Sequence, residues 1–303
     1  MLEISATVAR QYIDAVSTFE ALEEAQDEAA QVRGGMYWHA GPASAPDTKY
    51  LVRTTPAGAE TGLGTRTPET EAMYERFTQR KRESTERVSG LKAALEQHQR
   101  LNRALRVGRV DPLVVALLGR LASTQLSPHF RVVGTHALYA YESTAGVRLD
   151  SDTLATRGMD LLWDTRKRIL FSTQLAKVDS SMLGVLKKVD SSFRIRKMTS
   201  KSQKYTAVNK DGFEVDIIRR ANVLLDSPGF SAVIVATNGT MARMNTVHPA
   251  TFVAFKRWMA NQADREALKR RRDVLQAETV QTVLGKYLPL SPPVAADQPD
   301  LPA

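Results

Sequence analysis

The chain has 303 residues, of which 43% are hydrophobic and 25% charged, a composition typical of a globular protein with a buried core. It contains no cysteine, which excludes disulfides, thiolate catalysis and thiolate-bound zinc. The formal net charge of +9 favours a polyanionic partner such as RNA, DNA or a nucleotide. We find neither an export signal at the N-terminus nor an apolar run that could span a bilayer. The sequence therefore predicts a cytoplasmic protein without membrane contact.

The N-terminal region is predicted to combine a helix with short strands. Residues 2–33 carry apolar side chains at helical spacing, and Gly34-Gly35 follows them. Two short strands are predicted at 36–39 and 50–53, and a glycine-containing loop at 58–64.

A long polar helix is predicted from Pro68 to about Leu105, with many arginines and lysines along it. This basic density makes the helix a candidate nucleic-acid surface, although a solvated helix of mixed charge is the more ordinary interpretation. A further helix is predicted to begin at Asp111-Pro112.

The centre of the chain carries the pattern on which the functional interpretation depends. Residues 131–142 indicate a short strand, a turn at Gly134-Thr135 and a helix whose first N–H groups favour a phosphate. A strand over 156–164 carries Asp160 among large apolar residues. A hairpin over 205–218 carries Asp216. A phosphate-favouring turn beside carboxylates predicts a metal ion that bridges a triphosphate.

Apolar runs and turns predict the remaining elements. They are an extension of the sheet at Ile169–Phe171, a helix at 180–189, strands at 193–196, 230–236 and 241–245, helices from His248 to Leu288, and a disordered tail from Pro289.

The order of strand, Gly134-Thr135, helix, Met159-Asp160-Leu161-Leu162 and Glu214-Val215-Asp216-Ile217 resembles the DNA-polymerase-β-like nucleotidyltransferase superfamily. In particular, it is similar to bacterial members with an N-terminal extension and a basic C-terminal helical region. The resemblance spans roughly Gly34 to Leu288.

The resemblance implies a set of site residues. Gly134 and Thr135 would hold the phosphates of a nucleoside triphosphate, with the Thr135 hydroxyl as a donor. Asp160 matches the second aspartate of the Asp-x-Asp strand, and Asp216 matches the third aspartate. Together they would bind Mg²⁺ or Mn²⁺, which activates the attacking hydroxyl and neutralises the leaving pyrophosphate.

The first aspartate of that motif is replaced by Gly158. Asp164 lies roughly 13 Å along the strand from Asp160, too far for a shared metal pair. Glu214 lies about 6.6 Å from Asp216 on the same face and is a candidate catalytic carboxylate, and Glu142 is a looser one. Three interpretations stay open: Glu214 completes the metal site, the protein works with a reduced site, or it binds nucleotide without turnover.

Cations of the C-terminal region are candidate nucleotide-binding residues, because they could hold a triphosphate or an acceptor phosphate. They are Lys256, Arg265, Lys269 and Arg272. A basic solvated surface is the alternative for each of them. His136 is interpreted as structural rather than as a base.

The sequence thus predicts an α+β fold with a nucleotidyltransferase-like mixed sheet flanked by helices. The expected domains are an N-terminal extension at 1–110, the core at 111–247, a helical region at 248–288 and the tail at 289–303. The expected function is transfer of an NMP group from an NTP to a hydroxyl, with RNA such as tRNA favoured over a protein or a small molecule. The alternatives are an impaired nucleotide- or nucleic-acid-binding module and, less favoured, a phosphate-ester hydrolase. The sequence identifies no protein partner.

Overall fold

The computed structural model describes residues 1–42, 44, 47–154, 156, 158–179, 181–196, 204–218 and 222–288. The strands are β1 Leu2–Glu3, β2 Gly35–Ala40, β3 Lys49–Thr54, β4 Glu60–Thr65, β5 Phe130–Val133, β6 Val147–Arg148, β7 Gly158–Trp163, β8 Arg194–Ile195, β9 Lys204–Val208, β10 Glu214–Ile218, β11 Gly229–Val235 and β12 Met241–Val247. The helices are α1 Ala6–Gln31, α2 Pro68–Ala104, α3 Pro112–Ser123, α4 Ala137–Ala145, α5 Ser151–Leu154, α6 Arg168–Val178, α7 Met182–Lys187, α8 Asn222–Asp226, α9 Pro249–Ala260 and α10 Ala267–Lys286.

The chain divides into two compact units. One unit comprises Gln11–Leu101, and the other comprises Met1–Arg10 with the chain from Asn102 onward. In the first unit, β2, β3 and β4 form an antiparallel sheet in that order. The predicted tail from Pro289 lies outside the described residues.

The second unit contains a seven-stranded mixed sheet in the order β11-β12-β5-β7-β10-β9-β8. Strand β12 is parallel to β5 and β7 is parallel to β10, whereas the other neighbouring pairs are antiparallel. This mixed sheet with its flanking helices is the predicted α+β nucleotidyltransferase-like fold.

Strand alternation separates buried apolar positions from partly buried polar ones near Asp160 and Asp216, whereas Leu162, on the face of Asp160, is buried as well. On β7 and β10, Met159, Leu161, Val215 and Ile217 are buried and belong to the hydrophobic core. The residues between them, among them Asp160, are only partly buried. The fold therefore turns these polar positions away from the core.

Two secondary-structure predictions were wrong. Residues 58–64 were expected to form a loop, but Glu60–Thr65 forms β4, an exposed edge strand held by its backbone pairing with β3. Ile169–Phe171 was expected to extend the sheet, but it lies in α6. Asp164 accepts a hydrogen bond from the Arg166 N–H and begins a 3-10 turn at Thr165–Lys167, which directs the chain into that helix.

None of the helices that the structure describes combines the length and the hydrophobicity that a membrane span requires.

Candidate functional site

Two aspartates face each other across neighbouring parallel strands. The register of β7 and β10 places Asp160 opposite Asp216, and Gly158 opposite Glu214. Residues opposite each other on adjacent strands point to the same face, and the strands are about 4.8 Å apart. The Thr206 hydroxyl of β9 donates a hydrogen bond of 2.5 Å to Asp216 Oδ1. The predicted placement of both carboxylates on adjoining strands is therefore confirmed by the register.

The glycine turn touches the first of these carboxylates. Strand β5 ends at Val133, opposite Asp160, and Gly134 follows with a positive φ of 70°. A Cβ atom at Gly134 would lie 2.6 Å from Asp160 Oδ2, closer than a side chain allows. Glycine is required here both for its backbone conformation and for this close approach. The turn that is expected to hold phosphate therefore directly contacts the expected metal ligand.

Thr135 has a partner that the sequence did not suggest. Its side chain is buried within the 3-10 turn Gly134–His136, and its Oγ1 accepts a hydrogen bond of 3.1 Å from Gln276 Nε2 of α10. The same nitrogen donates to the carbonyl oxygen of Thr153 at 2.8 Å. The helical spacing of Gln276 with the buried Asp273, Ala277 and Val280 could have identified it as an inward-facing position. Nothing in the sequence identified its partner.

Glu214 shares the face of the aspartates, but its carboxylate engages another residue. Glu214 Oε1 accepts a hydrogen bond of 2.5 Å from Arg196 Nη1, and both side chains are partly exposed. Across the strand, a Cβ atom on Gly158 would lie 3.2 Å from the Glu214 carbonyl oxygen. The structure therefore pairs Glu214 with Arg196 rather than with the aspartates, although Glu214 lies on the same face of the sheet as they do.

The two other carboxylates that were weighed as replacements are engaged in structural roles. Glu142 is buried, pairs with Arg109 and Arg148, and accepts the Leu149 N–H at 2.9 Å. Asp164 pairs with Arg166, whose guanidinium lowers the pKa of that carboxyl. Since each carboxylate is satisfied by these partners, the expectation that Glu142 could complete the site is not supported.

A divalent cation fits the aspartate pair only with help from a substrate. Within the described ranges of the chain, no group of three or more His, Asp or Glu side chains could hold a metal ion. Mg²⁺ is commonly held by one or two carboxylates together with waters and substrate phosphate oxygens. The donor set of Asp160 and Asp216 fits this mode, with Gly134-Thr135 placed to bring a phosphate beside it.

The C-terminal cations divide into residues that support the fold and residues that remain at the surface. Lys256 is buried and pairs with the fully buried Asp273 at 2.7 Å, and Arg265 holds the other oxygen of that carboxylate at 2.7 Å. Burial lowers the pKa of Lys256, although Asp273 acts in the opposite direction. Assigning Lys256 and Arg265 to phosphate is therefore not supported, because their charge is balanced by Asp273, which joins α9 to α10.

Lys269 and Arg272 have different surroundings. Lys269 Nζ lies 2.9 Å from Glu266 Oε2, and this ion pair between residues three positions apart is exposed to solvent. Arg272 lies one turn before Gln276 on α10, and its buried Nε has no hydrogen-bond partner within the described part of the chain. Arg272 therefore stays a candidate for phosphate, because it lies one helical turn from Gln276, which contacts Thr135.

A polar cleft of about 1000 Å³ lies beside His136, within the unit that contains the sheet. Tyr139, Thr156 and Phe213 also line it, and its rim includes Asp111, Asp190, Lys210 and Asp211. His136 is almost fully buried, and this burial lowers its pKa to about 4, which keeps the ring neutral at pH 7. The cleft reaches the turn at His136, whereas Thr135, Asp160 and Asp216 are not among the residues that line it.

The chain was compared with known proteins. A family model described as "Nucleotidyltransferase" matches residues 113–222 and 218–298, more than half of the chain. Searches of the curated proteins and of the solved structures gave no match. The matched region contains Gly134, Thr135, Asp160, Asp216 and Gln276.

Proposed function

Because this chain belongs to the nucleotidyltransferase family, we propose that it transfers an NMP group from a nucleoside triphosphate to a hydroxyl acceptor at the site formed by Asp160, Asp216 and the Gly134-Thr135 turn. The acceptor oxygen forms a bond to the α-phosphorus, the bond from that phosphorus to the bridging oxygen of the β-phosphate breaks, and pyrophosphate leaves. The proton of the hydroxyl is released to solvent. Membership of the DNA-polymerase-β-like superfamily, a bacterial origin and a cytoplasmic location are parts of the same proposal.

The proposed roles follow from the arrangement of the side chains. Asp160 and Asp216 would hold Mg²⁺, which when bound lowers the pKa of the acceptor hydroxyl and neutralises the charge of the leaving pyrophosphate. The Thr135 hydroxyl and the first N–H groups of the turn donate to phosphate oxygens. Arg272 supplies a positive charge from α10.

The observation that carries this proposal is the contact between the turn and the carboxylate. Asp160 lies opposite Asp216 in the register, and the Asp160 carboxylate approaches the Gly134 backbone so closely that a Cβ atom there would force it to move. A phosphate at the turn and a cation at the pair would therefore be neighbours, which is the geometry that phosphoryl transfer needs.

RNA is the proposed acceptor class, and the distribution of charge supports it. The unit that contains the sheet carries 31 Lys and Arg against 19 Asp and Glu, whereas Gln11–Leu101 carries 11 against 14. The positive charge is thus concentrated in the unit with the site, where it would attract a polyanion. The residues that line the cleft carry both positive and negative charges. The label-transfer experiment below therefore also tests a small molecule and a protein as acceptors.

Gly158 favours a second candidate function, a nucleotide-binding module without turnover. The position opposite Glu214 has no side chain, and Glu214 is engaged by Arg196, so two carboxylates remain for a reaction that often uses more. Such a module would retain nucleotide but transfer none of it.

A label-transfer experiment separates these functions. The protein is incubated with Mg²⁺ and each α-³²P-labelled NTP in turn, together with cellular RNA, cellular protein or small-molecule extract. We expect label on RNA and release of pyrophosphate, with both lost in Asp160→Asn and Asp216→Asn and retained in Asp226→Asn, a change at an exposed carboxylate. Retention of NTP without transfer would support the binding module, and labelled free NMP would indicate hydrolysis.

A further inference from the structure

We propose that Gln276 is a positioning residue that aims the Thr135 hydroxyl at the nucleotide phosphates, so that α10 forms part of the nucleotide site. The inference rests on the proposed function and adds a residue to it. Gln276 is fully buried, and its amide nitrogen joins α10 to both the Gly134-Thr135 turn and α5 through the two hydrogen bonds to Thr135 and Thr153.

The orientation of the Gln276 amide follows from its partners. The Thr153 carbonyl oxygen can only accept a hydrogen bond, so the NH₂ group of Gln276 must face it. The second hydrogen of that NH₂ group is then directed at Thr135 Oγ1. Exchanging the amide oxygen and nitrogen would set two oxygens against each other, which excludes the flipped orientation.

This orientation determines what the Thr135 hydroxyl can do. A hydroxyl has one hydrogen to donate and two lone pairs to accept, and Gln276 occupies a lone pair. The Thr135 hydrogen must therefore point away from Gln276. Accepting a hydrogen bond also polarises the hydroxyl and makes it a better donor. A phosphate oxygen at the helix start is the acceptor that the arrangement favours, because Gly134 and the first N–H groups lie at the same turn.

The energetics indicate that Gln276 does not serve stability alone. Its Oε1 atom is buried and has no hydrogen-bond partner in the described residues. A buried unsatisfied acceptor costs about 1–3 kcal/mol, which an apolar side chain of similar size would not. Ala277, Val280 and Val283 on the same face of α10 pack in the hydrophobic core, and the other polar residue of that face, Asp273, is satisfied by Lys256 and Arg265. An amide at this position therefore contributes something other than packing.

Nucleotide binding tests the inference without requiring turnover. Titration calorimetry measures the affinity of the wild-type protein for the α,β-non-hydrolysable analogues of ATP, GTP, CTP and UTP, each with Mg²⁺. For the analogue that binds, we expect Gln276→Leu to weaken binding about tenfold, which corresponds to 1.4 kcal/mol. Gln276→Leu relieves the unsatisfied Oε1 atom but removes the hydrogen bonds to Thr135 and Thr153, so we expect these effects to offset each other and the melting temperature to change little. The exposed Gln281→Leu on the same helix is the matched control and should bind like the wild type.

Two further variants distinguish positioning from general damage. Gln276→Glu should weaken binding more than Gln276→Leu, because its carboxylate would accept the Thr135 hydrogen that the phosphate needs. In a Thr135→Val background, Gln276→Leu should have no additional effect, since the hydroxyl that it orients is gone. Two results would overturn the inference. One is a loss of nucleotide affinity in proportion to a fall in melting temperature, and the other is additive losses of binding free energy in Thr135→Val and Gln276→Leu.

The outcomes also separate this inference from the proposed function. If the wild type binds an analogue and Gln276→Leu binds it equally well, the positioning role fails and the proposed function stands. If the wild type binds none of the analogues and transfers no label, the proposed function fails and the inference fails with it.

Discussion

Gly158 lies on the same face of the sheet as Asp160, Asp216 and Glu214, opposite Glu214, and it is the one of these four positions without a side chain. This face therefore offers the carboxylates of Asp160, beside the turn, and Asp216, opposite Asp160, whereas the carboxylate of Glu214 forms an ion pair with Arg196. Two carboxylates are enough for a cation that also binds substrate oxygens, but they provide less negative charge to hold it. At the scale of single residues, activity should thus depend on what stands at positions 134 and 158.

Gly158→Asp tests whether the missing carboxylate limits turnover. We expect it to increase Mg²⁺-dependent pyrophosphate release by about tenfold or more, because an added ligand holds the cation and the acceptor oxygen in place. The Cβ atom requires a shift of a few tenths of an ångström against Glu214, at 3.2–3.3 Å. Gly158→Ala is the control for that shift and should not raise activity. A rate that is unchanged in Gly158→Asp would show that two carboxylates suffice.

Gly134→Ala tests the contact between the turn and Asp160. The positive φ costs a non-glycine residue about 1 kcal/mol, and the new Cβ atom must also displace the Asp160 carboxylate. We expect label transfer to fall about 100-fold. Gly212→Ala is the matched control, since Gly212 has a φ of 78° and no atom within 4 Å of its would-be Cβ. Equal losses in both variants would assign the effect to backbone strain alone.

The burial of His136 predicts a pH-dependent stability. Its pKa is lowered from 6.5 to about 4 in the folded chain, so as the pH falls below 6.5 the unfolded chain takes up a proton that the folded chain does not. Between pH 7 and pH 4 the wild type should lose about 3 kcal/mol more of its free energy of unfolding than His136→Gln does. Urea unfolding at several pH values measures this difference, and parallel pH profiles would contradict it.

At the scale of elements, the buried ion pair joins the two C-terminal helices. Lys256 of α9 and Arg265, which precedes α10, hold the two oxygens of Asp273, so the pairing fixes α10 relative to α9. Helix α10 in turn carries Gln276 to Thr135. The cations that were expected to hold phosphate thus help to set the position of the helix that reaches the site.

Removing Lys256 should therefore affect stability more than nucleotide affinity. Lys256→Met leaves the buried Asp273 with one partner, and breaking such a pair costs about 3–5 kcal/mol. Lys269→Met removes an exposed charge and should leave the free energy of unfolding unchanged. Thermal or urea unfolding measures both. If Lys256→Met is as stable as Lys269→Met but binds nucleotide poorly, Lys256 binds phosphate rather than stabilising the fold.

Apolar runs and a turn signal were enough to predict β7, β9 and β10, because these strands place most of their apolar residues in the core and a tight turn joins β9 to β10. Strand β4 escaped prediction because it is exposed along its whole length and contains two glycines, so its pairing leaves no hydrophobic pattern. The apolar run Ile169–Phe171 was compatible with a strand or a helix. It lies in helix α6, which follows the 3-10 turn capped by Asp164.

The site was predictable only in part. Asp160, Asp216 and Gly134 lie in motifs of a few residues, and the resemblance indicated their roles. The Gln276 contact joins positions 141 residues apart in the sequence, and the pairing of Lys256 with Asp273 depends on how two helices pack. Such contacts are determined by tertiary packing, which no local pattern records.

At the scale of the whole molecule, the charge is divided unequally between the two units. The excess of positive charge lies in the unit that contains the sheet, and the unit formed by Gln11–Leu101 is slightly acidic despite its arginine-rich helix α2. The long basic helix that was a candidate nucleic-acid surface is thus balanced by nearby acidic residues. An RNA acceptor should instead depend on cations near the cleft.

Two sets of substitutions test where RNA binds. Lys187→Gln, Lys188→Gln and Lys210→Gln together remove three exposed cations, of which Lys210 lines the cleft and the other two precede its lining residue Val189 in the chain. Arg76→Gln, Arg80→Gln and Arg82→Gln remove three exposed cations from α2. We expect the first set to weaken binding of labelled RNA about tenfold and to reduce its salt dependence, because fewer counterions are released. The second set should change little, and the reverse order would place the RNA surface on α2.

In the proposed site, Asp160 and Asp216 hold a divalent cation beside phosphates bound at Gly134-Thr135. A crystal structure with Mn²⁺ and an α,β-non-hydrolysable NTP tests it most directly, since the anomalous signal locates the ion without any assumption about activity. We expect the Mn²⁺ ion to be coordinated by both carboxylates and by a phosphate oxygen, with the Thr135 hydroxyl donating to the polyphosphate. A nucleotide bound elsewhere, or an ion that neither aspartate touches, would contradict the account.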